Sequence, residues 1–315
     1  MANIQEKLQL VLDQITDHEK GRIHYSHITK MHEDIVVDLD YALCELQYVK
    51  LARMDSKHLL AFGLNVFQVF LHYAFIKVGI PATSSGRTEF WTRLKFDVGG
   101  HVYTFSDWWN GICRGNRKGP FGPPPFRSTD ARKFLCLPDT VDPRIHFAVG
   151  MSHIMRPMFF YSGEDLDVEL GHAARAYCRK EGLVFLDKTA MTLRLPGGFQ
   201  EYSGDFAGHT RAIPKVFMQW LPGKSRAIVD EAVTVGKKIK VVYGTSGTKC
   251  DDWNEYAGDY VMFEKAPFAD FKKSLLAVNQ TKPEIPKREV KRRGSLKNLL
   301  ALVSGGDTEA EETKA

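Results

Sequence analysis

The amino-acid sequence predicts an α+β domain, with a helical amino-terminal part packed on a mixed or antiparallel sheet, followed by a basic, flexible tail. Three observations carry this reading. Apolar residues recur at helical spacing through the first 78 residues; short alternating runs follow without the regular βαβ alternation of a parallel sheet; and apolar periodicity stops near Val278. The expected organisation is one domain over residues 1–277 and a tail over 278–315.

Taken in order, Leu8, Val11, Leu12 and Ile15 mark an amphipathic helix over Gln5 to Thr16. Ile35, Leu39, Leu43 and Leu46 mark a second within Ile28 to Ala52, after a turn at Gly21-Arg-Ile-His-Tyr25. Phe62 to Val78 is apolar nearly all round and is stopped by Gly79-Ile-Pro81, which predicts a buried central helix. Asn65, Gln68 and His72 make it too polar, and its length too short, to cross a membrane comfortably. Leu94 to Phe105 alternates around Gly99-Gly100 as a hairpin does, and a short helix is expected near Asp107 to Cys113. Ile145-His-Phe-Ala-Val149 reads as a short strand. Ser162 is placed as the cap of a helix from Gly163 to about Lys180, with Asp165 completing a variant capping box. Strands are expected at Val184 to Asp187, Thr192 to Leu195 and Ile239 to Tyr243.

The 315 residues are 43% apolar and 26% charged, which is globular composition and excludes collagenous or wholly disordered classes. Seven Lys/Arg against two Glu between Lys282 and Lys297 account for the whole net charge of +5. The body is therefore expected to be electrostatically bland, with no DNA-binding groove. Five cysteines (Cys44, Cys113, Cys136, Cys178, Cys250) never form a CxxC pair and read as reduced thiols. With no secretory signal and no transmembrane segment in view, a cytoplasmic location is expected.

Five blocks then resemble, in order, the family called domain of unknown function 547 (DUF547). They are Gly21 to Tyr25; Ala61-Phe-Gly-Leu-Asn65-Val-Phe-Gln68; Gly99 to Tyr103 with Gly111-Ile-Cys-Arg-Gly-Asn116; Asp142-Pro-Arg-Ile-His-Phe-Ala148; and Leu195-Pro through Tyr202, Asp205 and Phe206. The resemblance covers residues 5 to 265. It implies an α+β fold, for which a papain- or transglutaminase-like arrangement is one form, and no substrate. It also implies a thiol nucleophile shortly after the Ile-His-Phe-Ala segment, and Met151 stands there instead. A thioether can neither ionise nor attack a carbonyl. Gly63 replaces a Trp, Gln68 a second Asn, and Trp109-Asn110 a Glu-His pair.

The candidate catalytic residues are His146, Arg144, His101, Asp142 and Asn65. His146 is either a general acid or base whose pKa Asp142 raises, or a buried histidine bonded to backbone. Arg144 either clamps an anionic substrate or pairs with Asp142 or Asp205. His101 follows the Gly-Gly turn, and Asn65 and Gln68 share one helix face, to orient a substrate or to bond a loop. Cys113 is either an alternative nucleophile or a packed, inert thiol. His18, His24, His27 and His32 lack the spacing of a metal site, Gly244-Thr-Ser-Gly247 lacks the ending of a phosphate loop, and no cofactor is expected.

Two functions remain open: a binding or scaffold protein with a degenerate thiol-enzyme-like site, its partner a small molecule or a protein, or an active hydrolase or acyl-transfer enzyme using His146, Arg144 and His101. In the second, Ser152 or His153 takes the nucleophile's role. In the tail, Arg292-Arg293-Gly-Ser295-Leu fits a basophilic kinase pattern, and Leu296, Leu299, Leu300 and Val303 form an apolar stripe after it. Ser295 is the phosphorylation candidate, and the basic run around it is suited to an acidic surface.

Overall fold

The computed structural model describes residues 1–19, 22–30, 33–81, 83–137, 141–149, 160–179 and 183–244. Gly21, His32, Gly182, Met151, Ser152, His153, Cys250, Gly247 and the whole tail with Ser295 lie outside the described residues.

Helix α1 (Ala2–Ile15) buries the expected stripe of Leu8, Val11, Leu12 and Ile15 against α2 (Glu33–Cys44). Between them β1 (Thr16–Asp17) pairs over two residues with β2 (Arg22–Ile23) where the turn was expected, and the second helix is shorter than read from the sequence: a 3-10 turn (Tyr25–Lys30) takes its first residues, and α2 carries Ile35, Leu39 and Leu43. After α2 the chain tightens into further 3-10 turns at Glu45–Tyr48 and Leu51–Arg53. The apolar spacing was real, but it is spread over a helix and three turns.

Helix α3 (Ser56–Val78) is the axis of the fold and begins six residues before its apolar run. Asp55 caps it by accepting the Lys57 and His58 N–H groups at 2.9 and 3.0 Å, and Gly79, at φ 88, ends it with an N–H bond to the Phe75 carbonyl. At 23 residues it is long and apolar enough to cross a membrane, yet 94% of its most apolar window is buried inside the protein. Its rings stack with those of α4 (Ser84–Arg93) and the hairpin of β3 (Lys95–Val98) and β4 (His101–Thr104): Phe70 lies 4.2 Å from Phe96, and Phe67 packs edge-on to Phe105. Gly99 and Gly100, at φ 64 and 78, supply the left-handed turn.

The turn at Asp107–Cys113 is a π-helix, and it seats Trp108 and Trp109 fully inside. Trp108 Nε1 donates to the Gly63 carbonyl at 2.9 Å. A Cβ on Gly63 would come within 2.9 Å of the Cys113 sulfur, so the missing side chain at 63 makes room for this π-turn.

Ile145–Ala148 forms the single-turn helix α5, which corrects the strand reading. Pro143 and the Asp142 side chain, which accepts the Arg144 N–H at 2.9 Å, fold the chain into a turn that four apolar-looking residues could not announce. Helix α6 (Leu166–Arg179) starts later than expected: Ser162 Oγ accepts the Asp165 N–H at 3.0 Å, and Glu169, not Asp165, reaches back to the Ser162 N–H at 2.8 Å. Next come β5 (Phe185–Asp187), β6 (Thr192–Leu195), α7 (Gly198–Glu201), α8 (Ser203–Phe206), α9 (Ile213–Phe217), α10 (Gly223–Thr234) and β7 (Lys240–Tyr243). β6 pairs antiparallel with β5 and parallel with β7, giving the mixed sheet. Among the described residues the strands form three small sheets in a mostly helical α+β fold.

Two apolar cores result. One surrounds α3; the other gathers Phe199, Phe206, Phe217 and Trp220 under the mixed sheet. Helix α5 joins them, for Ile145 and Ala148 belong to the first core and Phe147 to the second.

Candidate functional site

His146 lies on α5 between the two cores and is 2% exposed. Tyr202 and Phe206 cover its ring with centroids at 4.8 and 5.3 Å, and Trp109 meets it edge-on at 5.6 Å. The register of α5 is fixed by a relay from α3. Asn65 clamps the backbone of Tyr161, donating to its carbonyl at 2.8 Å and accepting its N–H at 2.9 Å, and the Tyr161 hydroxyl donates to the Ala148 carbonyl at 3.0 Å. Asn65 is thus a positioning residue for the loop. Replacing it with Ala strands a buried N–H and carbonyl and is expected to cost about 2 kcal/mol, read from the urea midpoint.

His146 Nε2 sits 2.8 Å from Asp205 Oδ2. Asp205, whose side chain is 2% exposed, also takes a two-pronged bond from Arg114, Nε at 2.6 Å and a terminal nitrogen at 2.9 Å, and a longer one from Arg117 at 3.3 Å. Arg114, itself 4% exposed, lies over the Tyr202 ring at 4.5 Å. Its remaining nitrogen donates to Asn110 Oδ1 at 2.6 Å and to the Lys118 carbonyl at 3.1 Å. Asn110 is pressed against Gly119, where a Cβ would fall 2.3 Å from its amide. A buried ion pair is tolerable because each partner is bonded in this way.

Burial would raise the Asp205 carboxyl, but hydrogen bonds from His146 and Arg114 outweigh it and hold the group well below the usual carboxylate range. Burial is likewise the main influence on His146 and carries its pKa below the ordinary value; Arg114 adds to the effect, while Asp205 and Asp142 oppose it. The imidazole is therefore neutral near pH 7. Since an ionised carboxylate only accepts, Nε2 carries the proton, and Nδ1 presents a lone pair with no hydrogen-bond partner among the described residues. Trp109 Nε1 likewise lacks one there. Histidine, carboxylate and guanidinium together fix a tautomer and hold one ring nitrogen as a bare acceptor.

Of the sequence candidates, only His146 belongs to this cluster. Arg144 grips Asp142 with Nε at 3.0 Å and a terminal nitrogen at 2.6 Å, and Asp167 at 2.7 Å, so its charge is met by these two carboxylates. Asp142 shapes the entry to α5 and is not the carboxylate bonded to His146. His101 sits at the hairpin tip, edge-on to Tyr103, and no contact joins it to His146. Gln68 is buried and reaches the Leu64 carbonyl of its own helix. Cys113 is packed against α3, and burial pushes its thiol far above the ordinary value, which favours the inert reading. His24 and His27 stack on one another at 5.3 Å. Arg114, Trp109 and Tyr202 were not singled out as site residues, although each stands in or beside a quoted block; a separation of 91 residues between Arg114 and Asp205 carries no local signal.

The fold and site together define a helix-rich α+β protein built around a buried His–Asp–Arg cluster. Residues 51–178 match the model of the family described as Protein of unknown function, DUF547, so this segment is similar to that family. The match takes in α3, Arg114 and His146 and is shorter than the span of resemblance read from the sequence; Asp205 lies beyond it. No curated protein and no solved structure matches the chain.

Proposed function

We propose that the chain is a non-catalytic binding or scaffold protein whose thiol-enzyme-like centre has become a structural core. The observation that carries this reading is the sealing of His146: its ring is shut among three aromatic side chains while Arg114 neutralises the Asp205 charge that would otherwise make the imidazole basic. A thiol enzyme needs an imidazolium beside a thiolate at working pH, and burial opposes both forms here, at His146 and at Cys113. Met151 at the expected Cys position agrees with it.

The test compares the protein with His146→Ala on a panel of acyl and peptide substrates, with iodoacetamide labelling of cysteines in parallel. Equal background rates are expected, together with labelling that does not depend on His146. Turnover above background that disappears in His146→Ala establishes the hydrolase or acyl-transfer reading instead. The tail, by the same proposal, carries the recruiting signal around Ser295. A protein ending near residue 280 should melt like the full chain but lose a partner or location, and a melting temperature lower by many degrees would show the tail to be part of the fold.

A further inference from the structure

The net charge conceals a local imbalance. Between Ala207 and Gly244 stand seven Lys/Arg against Asp230 and Glu231, so the body is not as bland as its total suggests. The excess converges on a cavity of about 540 Å³ formed by the turn before β6 (Ala190 and Met191), β7, the 3-10 turn at Thr210–Ala212, α9 and the end of α10 with the residues after it. Arg211, Lys215, Lys237, Lys238 and Lys240 line it. Among the described residues, no Asp or Glu lines it, and none of these five side chains has an ion-pair or hydrogen-bond partner.

Local geometry explains the convergence. Gly236, at φ 68, closes α10, with the Lys237 N–H returning to the Ala232 carbonyl at 2.7 Å, so the chain reverses and lays Lys237 and Lys238 back across the opening. The Lys240 N–H then bonds the Met191 carbonyl at 2.9 Å and starts β7. The lining is not only cationic: Pro214 is buried, Val233 is 39% exposed, and Ile239 and Val241 are half-buried beside it. Five like charges around one concavity repel each other, and a multiply charged anion bonded to several of them relieves that repulsion. An apolar portion of the same ligand covers the Pro214–Val241 wall, and the volume falls in the range of small-ligand sites.

We propose that this cavity is a binding site for a phosphate-bearing ligand with an apolar portion. It lies outside the family-matched segment and apart from the His146 cluster, and does not depend on the function proposed for that cluster. The phosphate belongs either to a soluble metabolite or to a lipid headgroup, and the experiment separates these.

The full chain is titrated with phenyl phosphate, with inorganic phosphate and with phenol, and is sedimented with vesicles of phosphatidylcholine alone or containing phosphatidylinositol phosphate. Two variants with equal charge change are compared, Arg211→Gln/Lys240→Gln in the cavity and Lys224→Gln/Arg226→Gln on α10 outside its lining. All four positions are exposed, so both variants should fold as the parent does. Saturable binding of phenyl phosphate, tighter than that of inorganic phosphate, absent for phenol and weakened at least about tenfold by the cavity variant alone, supports the soluble form. Vesicle binding that needs the phosphorylated lipid and is lost in the cavity variant alone supports the headgroup form. Equal weakening in both variants, or no saturable binding to either probe class, overturns the proposal.

Discussion

Asp205→Ala should be the most damaging single substitution at the His146 cluster, lowering stability by about 3 to 5 kcal/mol. The cost comes from what is left behind. Arg114 is 4% exposed and cannot lose its charge, so without Asp205 it becomes an uncompensated buried cation that retains only Asn110 and Lys118 as acceptors. His146 simultaneously loses the acceptor for its Nε2 proton. Chemical denaturation of the variant beside the parent measures the difference directly. Asp205→Asn tests the cause, because it keeps the shape and removes the charge; if it costs no more than about 1 kcal/mol, the cluster is held by packing alone. The combined Arg114→Met/Asp205→Leu change should recover much of the loss, as removing both charges removes the desolvation problem.

Acid should weaken the fold well before carboxylates protonate, and His72 is the main reason. Buried in α3, it accepts or donates one hydrogen bond with the Tyr25 hydroxyl at 2.5 Å, and burial lowers its pKa to about 4. In the unfolded chain the same imidazole titrates near 6.5, so below that pH the unfolded state binds the proton more readily. The stability conferred by a neutral His72 is complete above about pH 6.5 and is lost as pH falls toward 4, a total of about 3 kcal/mol at 1.36 kcal/mol per unit. His146, shifted in the same direction by the same cause, adds to the decline. Unfolding free energies measured from pH 7.5 to 4 should therefore fall steeply in the parent. In the Tyr25→Phe/His72→Phe variant, which removes both polar partners together, the curve should be flatter; parallel curves would show that His72 does not titrate in this way.

The buried helix of α3, the Gly99-Gly100 hairpin, the strands at Thr192–Leu195 and Lys240–Tyr243, and the amphipathic face of α1 were legible in the sequence, because each is specified by a period, a cap or a turn residue within a dozen positions. Helix α5 was not. Four residues are too few for a period, and its conformation is set by the Asp142 side chain, Pro143 and two apolar cores that pull on opposite sides of the turn.

The sequence by itself showed the resemblance, through ordered blocks in which His146, Arg114 and Asp205 all stand and of which the stretch 51–178 matches the family model, and it placed at the expected nucleophile position Met151, whose thioether cannot attack a carbonyl. Tertiary structure alone decided which carboxylate His146 meets, that Arg144 serves its neighbours Asp142 and Asp167, and that Asn65 holds a loop. It also decided that scattered cations from residues 211 to 240 face one cavity. The physical reason is common to all four. Ion pairs and hydrogen bonds between distant segments depend on distance and burial, and neither quantity is written in local spacing until the chain has closed around a core.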